Sequence, residues 1–336
     1  MKTVKTLLVS GLLIATMALA GCGGADKKPE TKPAAGPQTI KLAHVVNEKD
    51  GFHIAALKFK ELVEARTKGA VKVEVFPNAS LGDERTLIEG LQSGQIAMGV
   101  ITNGPVANFL PEIAAFEMPF LFASPEEAYK VLDGPVGQKV LGKLDAINLK
   151  GLAYAERGFR NLTNSKKPIK NPADMAGLKI RVMENPVYID TFKTLGTNAV
   201  PMAWTEALTA LQQGTIDGQE NPVNVIYSFK LNETQKYLTM TKHSYAPALF
   251  LMSKKVFGSF NKETQDILVK AAQEAAVHER KWNADQMSEQ LKALKEKGMQ
   301  IADPDTAAFQ AAVKPVYDKY GPKFGTLLDE INKAKK

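Results

Sequence analysis

The chain has 336 residues, 44% hydrophobic and 24% charged, with a formal net charge of +7 and one cysteine. This length exceeds one comfortable hydrophobic core, so two lobes are expected, and a lone cysteine excludes a disulfide framework. The basic residues alternate with acids on predicted helical faces (Lys58, Lys60, Glu61, Glu64, Arg66), without the arginine–aromatic patch that nucleic-acid binding requires.

Residues 1–21 read as a bacterial export signal. Lys2 and Lys5 supply the charged region, Leu7 to Leu19 a short apolar core, and Leu19-Ala20-Gly21-Cys22 a cleavage site of small residues. The apolar run is too short, and too near a processing site, for a membrane-spanning helix. The Leu-Ala-Gly-Cys pattern points to a lipid on Cys22, which would anchor the chain to a membrane. Losing Lys2 and Lys5 lowers the charge from +7 to +5. Residues 22–38 are rich in Pro, Lys and Ala without apolar periodicity, and read as a flexible tether. Extended at about 3.1 Å per residue, it reaches about 50 Å.

Thr39 to Val45 and Val71 to Phe76 alternate apolar and polar residues and predict strands. Phe52 to Arg66 carries a helical period. Asp83 is an N-cap for a helix to Gln92, with Gly94 as its stop. Ile96 to Thr102 reads as a buried strand. This order implies a parallel sheet with helices on both faces. Glu112 to Phe122 leads into a helix from Pro125, and Gly151 to Glu156 reads as a strand crossing into a second lobe. There, Lys179 to Met183 and Asn198 to Met202 predict strands, Thr205 to Gly214 a helix and Asp217 to Pro222 a turn. Ala246 to Met252 reads as a strand returning to the first lobe. Asn261 to Lys297 lacks proline and predicts one long helix, and residues 303–336 predict amphipathic helices.

The search for catalytic chemistry is negative. His44, His53, His243 and His278 form no His-Glu-x-x-His, so no metal or other cofactor is expected, and no Gly-x-Ser-x-Gly elbow occurs. Gly137 to Lys143 has P-loop spacing, but Leu144 stands where Ser or Thr would bind magnesium, and the stretch reads as helical. A secreted hydrolase using Glu156 or Glu220 as base is the enzymatic alternative.

What the sequence does carry is an anion clamp. Arg181 lies in a strand-like run that places it on one defined face, where a guanidinium offers paired N–H donors to a carboxylate. Arg160 follows Gly158-Phe159, and Asn221 precedes a proline in a turn from which its amide could enter a cleft. Thr102 and Asn103 follow a strand at its C-terminal end, where open α/β sheets bind ligands. Tyr245 and His44 are further candidates, His44 being equally readable as a core histidine. Arg157 reads as a surface residue.

Pro201-Met202-Ala203-Trp204-Thr205-Glu206-Ala207, Ala210-Leu211-Gln212-Gln213-Gly214 and Asp217-Gly218-Gln219-Glu220-Asn221-Pro222 together resemble the signature of TRAP-transporter solute receptors. Founding members of that periplasmic family bind four-carbon dicarboxylates. Leu81-Gly82-Asp83-Glu84-Arg85, Met118-Pro119-Phe120 and the run from Ala173 to Arg181 support the resemblance, which covers about residues 39–320. It implies an α/β, two-lobed periplasmic-binding-protein fold (type II-like) with the ligand in the interlobe cleft and a long helix spanning both lobes. Lobe I would comprise 39–157 and 247–286, and lobe II 158–246 and 287–336. The resemblance makes Arg181 the carboxylate-binding arginine, Arg160 the second ligand-contacting arginine and Asn221 the ligand asparagine, with Glu220 supporting an arginine. Trp204 stands where the family pattern often has Phe lining the pocket, a departure that could select a different ligand body. A TRAP membrane permease, ion-coupled and ATP-independent, is the implied partner, and the periplasm or cell surface the implied location. The same binding fold coupled to a sensor kinase is the non-transport alternative.

Overall fold

A computed structural model describes residues 38–336. The export signal, Cys22 and the tether through residue 37 lie outside the described residues. Gln38, read as the last tether residue, opens the first strand.

The strands are β1 (Gln38–Ala43), β2 (Val71–Phe76), β3 (Met98–Thr102), β4 (Leu149–Asn164), β5 (Lys179–Val182), β6 (Asn198–Pro201), β7 (Gly218–Asn221), β8 (Tyr237–Ser253) and β9 (Gln300–Ala302). They form one sheet in the order β2-β1-β3-β8-β4-β7-β5-β6, with β9 beside β8. The expected parallel pairing holds at the two ends. β1 pairs parallel with β2 and β3, and β5 with β6 and β7. Between them β8 runs antiparallel to β3 and β4, and β4 antiparallel to β7, so the sheet is mixed.

Local rules explain the first end. In β2 buried Val71 and Val73 alternate with exposed Lys72 and Glu74. Helix α1 (Gly51–Arg66) buries Phe52, Ala55, Ala56, Phe59 and Val63, a helical stripe, and sets Phe59 5.6 Å from the Phe250 ring of β8. Helix α2 (Glu84–Ser93) begins as predicted, with the Asp83 side chain accepting from Thr86 N, and ends at Gly94, whose φ of 82° is left-handed.

Two expected short strands are long ones. The strand expected over Gly151 to Glu156 is the 16-residue β4, and the one over Ala246 to Met252 is the 17-residue β8. Their pairing slips between Glu156 and Gly158, opposite Pro247 and Ala246, and Gly158 sits at φ 104°. Such a bulge breaks period-two alternation and bends the strand, which hid the continuous element. The expected turn at Asp217 to Pro222 is β7, a strand only four residues long whose neighbours β4 and β5 supply the pairing that its composition does not advertise.

The predicted long helix spans Lys262–Glu296, capped by Asn261. It packs across the middle of the sheet: Glu279 accepts from Glu156 N of β4 at 3.0 Å, Arg280 donates to Tyr154 O of β4 at 2.7 Å, and Asn283 accepts from Asn224, in the helix Val223–Ser228 that follows β7, at 3.2 Å. The C-terminal helices are Thr306–Ala312, Lys314–Phe324 and Leu327–Lys335.

At Gly218 a Cβ would lie 2.1 Å from the Thr163 carbonyl oxygen, a backbone atom that cannot swing away. Gly218→Ala is therefore expected to cost about 2 kcal/mol or more through overpacking, read as a lower midpoint with an unchanged slope in chemical denaturation.

Candidate anion-binding cleft

Arg181, Trp204, Glu84, Met183 and Val45 line two adjoining compartments of one cleft. Thr102, Arg157, Arg160 and Asn221 join the inner compartment. The cleft lies between the strand ends of β1 and β3 on one side and β5 and β7 on the other, and it is shut: Arg181 and Asn221 are each 4% exposed and Arg160 1%.

The three arginines are in different electrostatic situations. Arg157, expected at the surface, is buried. It donates to the Asp50 carboxylate at 2.5 Å and stacks on Phe52 at 3.9 Å. Arg160 forks onto Glu220: Nε and Nη2 both reach the carboxylate, and Nη2 also donates to the Glu220 carbonyl at 2.5 Å. Arg181 has no carboxylate within ion-pair distance among the described residues. Its Nε and Nη2 donate to the Met202 carbonyl at 3.0 and 2.7 Å. Burial lowers its pKa to about 10. The edge opposite the main chain, formed by Nη1 and the second N–H of Nη2, meets no protein acceptor among the described residues. That free edge is a carboxylate-sized fork in a desolvated setting.

Behind Arg160 a polar network fixes the clamp. Glu220 faces His243 Nε2 at 3.2 Å, and His243 Nδ1 meets Thr241 Oγ1 at 2.8 Å. Burial lowers the His243 pKa, and a neutral imidazole protonated on Nε2 satisfies both contacts. Burial works to raise the Glu220 carboxyl, but Arg160 and the His243 hydrogen bond outweigh it and hold the carboxyl below its usual range. Glu220 thus supports an arginine, as the sequence resemblance implies.

The remaining predicted residues divide. Asn221 Nδ2 donates to Gln219 Oε1 at 2.6 Å, leaving its second N–H and its carbonyl for the cleft. Trp204 packs edge-on against Phe229 at 5.1 Å, with Arg181 5.6 Å above its ring. Thr102 lines the inner compartment. His44, Asn103 and Tyr245 do not line either compartment. His44 is buried against His53 at 3.1 Å, and burial lowers its pKa to about 3, which marks a neutral core histidine. Asn103 donates to Glu117 at 2.9 Å and Tyr245 to Glu156 at 3.1 Å. All three side chains are engaged within the fold, and for Asn103 the strand-end location that suggested a pocket role leads instead to Glu117.

Glu84 is the residue that sequence reasoning missed. It opens α2, where an acid reads as helix-dipole compensation, yet its side chain turns inward, accepts from Thr102 N at 2.6 Å and lines both compartments. Burial raises its pKa, opposed by a hydrogen bond from Thr102 and by Arg157 and Arg181.

Glu117 adjoins this cluster, accepting from Asn103, from Asn185 at 3.1 Å and from the Tyr188 hydroxyl at 3.4 Å. Burial raises its pKa from 4.5 to about 8. A raised folded-state pKa contributes stability that is fully present below about 4.5 and lost as pH rises through about 8. Glu117→Gln removes that term. Denaturation at pH 5, 6.5 and 8 is expected to show the variant gaining on wild type at each step, and a constant difference would disprove the assignment.

The fold and cleft define a two-lobed solute-binding protein with a cationic site. The chain belongs to the bacterial extracellular solute-binding proteins, family 7, matching that family over residues 42–323. It is 38% identical over 302 residues to the 2,3-diketo-L-gulonate-binding periplasmic protein of Escherichia coli, covering 88% of this chain and 92% of that one. A TRAP periplasmic solute-binding protein from Polaromonas, bound to D-erythronate, superposes with a TM-score of 0.86 at 40% identity, covering 89% and 98% of the two chains. The sugar acid binding protein of Advenella mimigardefordensis, in complex with galactonate, gives 0.86 at 38% identity over 89% and 99%. The chain is therefore a TRAP-type solute receptor for small organic acids.

Proposed function

We propose that this receptor captures a polyhydroxy monocarboxylate, a sugar acid of the aldonate class, and delivers it to a TRAP permease. The observation that carries the reading is the buried Arg181 with no carboxylate within ion-pair distance among the described residues and one open edge. A ligand carboxylate docks there, beside Asn221 and the Arg160 held by Glu220. Glu84, the carboxyl in the same cleft, accepts from ligand hydroxyls and repels a second carboxylate. Erythronate and galactonate, bound by similar receptors, each combine one carboxylate with several hydroxyls.

Neither carboxylate considered as a general base is free for one. Glu220 is committed to Arg160 and His243, and Glu156 accepts from Tyr129 and Tyr245 outside both compartments. This supports a receptor rather than an enzyme. The bulge at Glu156 and Gly158, opposite Pro247 and Ala246, supports lobe boundaries at 157/158 and 246/247, with closure about these two strand crossings. A lipid on Cys22 and the tether beyond it would keep the receptor near the membrane that houses the permease. Metabolic labelling with palmitate, lost in Cys22→Ala, tests that anchor.

Titration calorimetry with D-galactonate tests the clamp. Arg181→Ala leaves the carboxylate unpaired and should cost about 2–5 kcal/mol of binding free energy. Arg181→Lys should also weaken binding because an ammonium lacks the fork. Wild-type affinity in Arg181→Ala removes the reading. Succinate should bind wild type poorly and Glu84→Gln better than wild type, and a variant that still rejects succinate would assign the exclusion to other residues.

A further inference from the structure

The indole N–H of Trp204 is buried and has no hydrogen-bond partner among the described residues. The side chain is only 9% exposed. Its ring is fixed on two sides, edge-on by Phe229 at 5.1 Å and on one face by the Arg181 guanidinium at 5.6 Å. Phenylalanine could make contacts of both kinds, with a weaker face for the guanidinium. What tryptophan adds is a donor, and a donor shielded from water with nothing to donate to is a standing cost. The open space that this ring borders is the cleft, both of whose compartments it lines.

We propose that Trp204 Nε1–H reads the oxygen on the carbon next to the ligand carboxylate, so that the receptor selects 2-hydroxy and 2-keto acids over their 2-deoxy counterparts. The inference rests on the Arg181 clamp. A carboxylate held on a guanidinium edge through N–H···O bonds places its own carbon about 4 Å and the next carbon about 5.5 Å from Cζ. The indole centroid lies 5.6 Å from the same Cζ and Trp204 lines both compartments with Arg181, so the second carbon of a docked acid and the indole share the space around one guanidinium. An oxygen on that carbon accepts from Nε1. A methylene there leaves the N–H unpaired in the closed cleft, and a site built to bond an oxygen rejects the analogue that lacks it. Trp204 is thereby a specificity-determining residue, and Glu84 handles hydroxyls further along the chain.

Calorimetry with D-galactonate and 2-deoxy-D-galactonate on wild type and Trp204→Phe decides this. Wild type should prefer galactonate by about tenfold or more. Trp204→Phe should lose that preference, weakening galactonate about tenfold more than the deoxy acid. Equal weakening of both acids, or a preserved preference, overturns the proposal. A readout on the unmutated protein is available because the chain has only two tryptophans. The Trp204 indole N–H resonance, assigned by its loss in Trp204→Phe, should move downfield with galactonate and stay in place with the deoxy acid. An unmoved resonance with galactonate also overturns it. Failure of the clamp has a different signature: wild type binds neither acid, or Arg181→Ala binds both as well as wild type.

Discussion

A guanidinium buried without a counter-ion is the constraint around which this cleft is built. Removing an arginine from water is costly unless its donors are met, and the fold meets only one edge of Arg181, with the Met202 carbonyl. The Trp204 face adds a second, weaker compensation. The remaining deficit falls on the closed form, because opening the lobes returns that edge to water. An anion that fills the edge thus binds the closed form preferentially, and closure follows from that differential affinity.

The other two arginines show what a neutralised clamp residue looks like. Arg157 is paired with Asp50 and Arg160 with Glu220, both pairs buried. Of the three arginines lining the inner compartment, Arg181 alone lacks a carboxylate within ion-pair distance among the described residues. Glu84 then makes a second anionic end unfavourable, since two carboxylates in a desolvated cleft repel strongly. The same count explains why Glu220 is so thoroughly held: were it free to turn toward Arg181, the clamp would be quenched from within.

Elements defined by short-range physics were legible in the sequence. The alternation of β2, the Asp83 cap, the Gly94 stop and the proline-free long helix each appear close to where local rules place them. What was lost depends on pairing between distant segments. β4 and β8 are continuous only because each supports the other across a bulge, and β7 is a strand only because β4 and β5 flank it. In the site, Arg181, Arg160 and Asn221 were legible through the motifs that carry the family resemblance. Arg157 was not, because the bulge next to it destroys the alternation that gives a side chain its direction. Glu84 was masked by the ordinary role of an acid in the first turn of a helix, and His44, Asn103 and Tyr245 drew attention through polar character that the core itself consumes.

The bulge that concealed β4 also bears on how the two halves of the sheet are joined. A straight antiparallel pair of 16 and 17 residues would join the two halves of the sheet rigidly. The register instead slips at three levels, between Gly151 and Ala153, Glu156 and Gly158, and Arg160 and Leu162, and the middle level carries the left-handed Gly158. The long helix crosses that level and is tied to it by Glu279 on the Glu156 N–H and Arg280 on the Tyr154 carbonyl, so it must bend with the strands. Arg157 and Arg160 stand on either side of the same glycine, one paired to Asp50 before α1 and the other to Glu220 on β7. The two paired arginines are thus tied to different parts of the fold, Arg157 to the segment before α1 and Arg160 to β7.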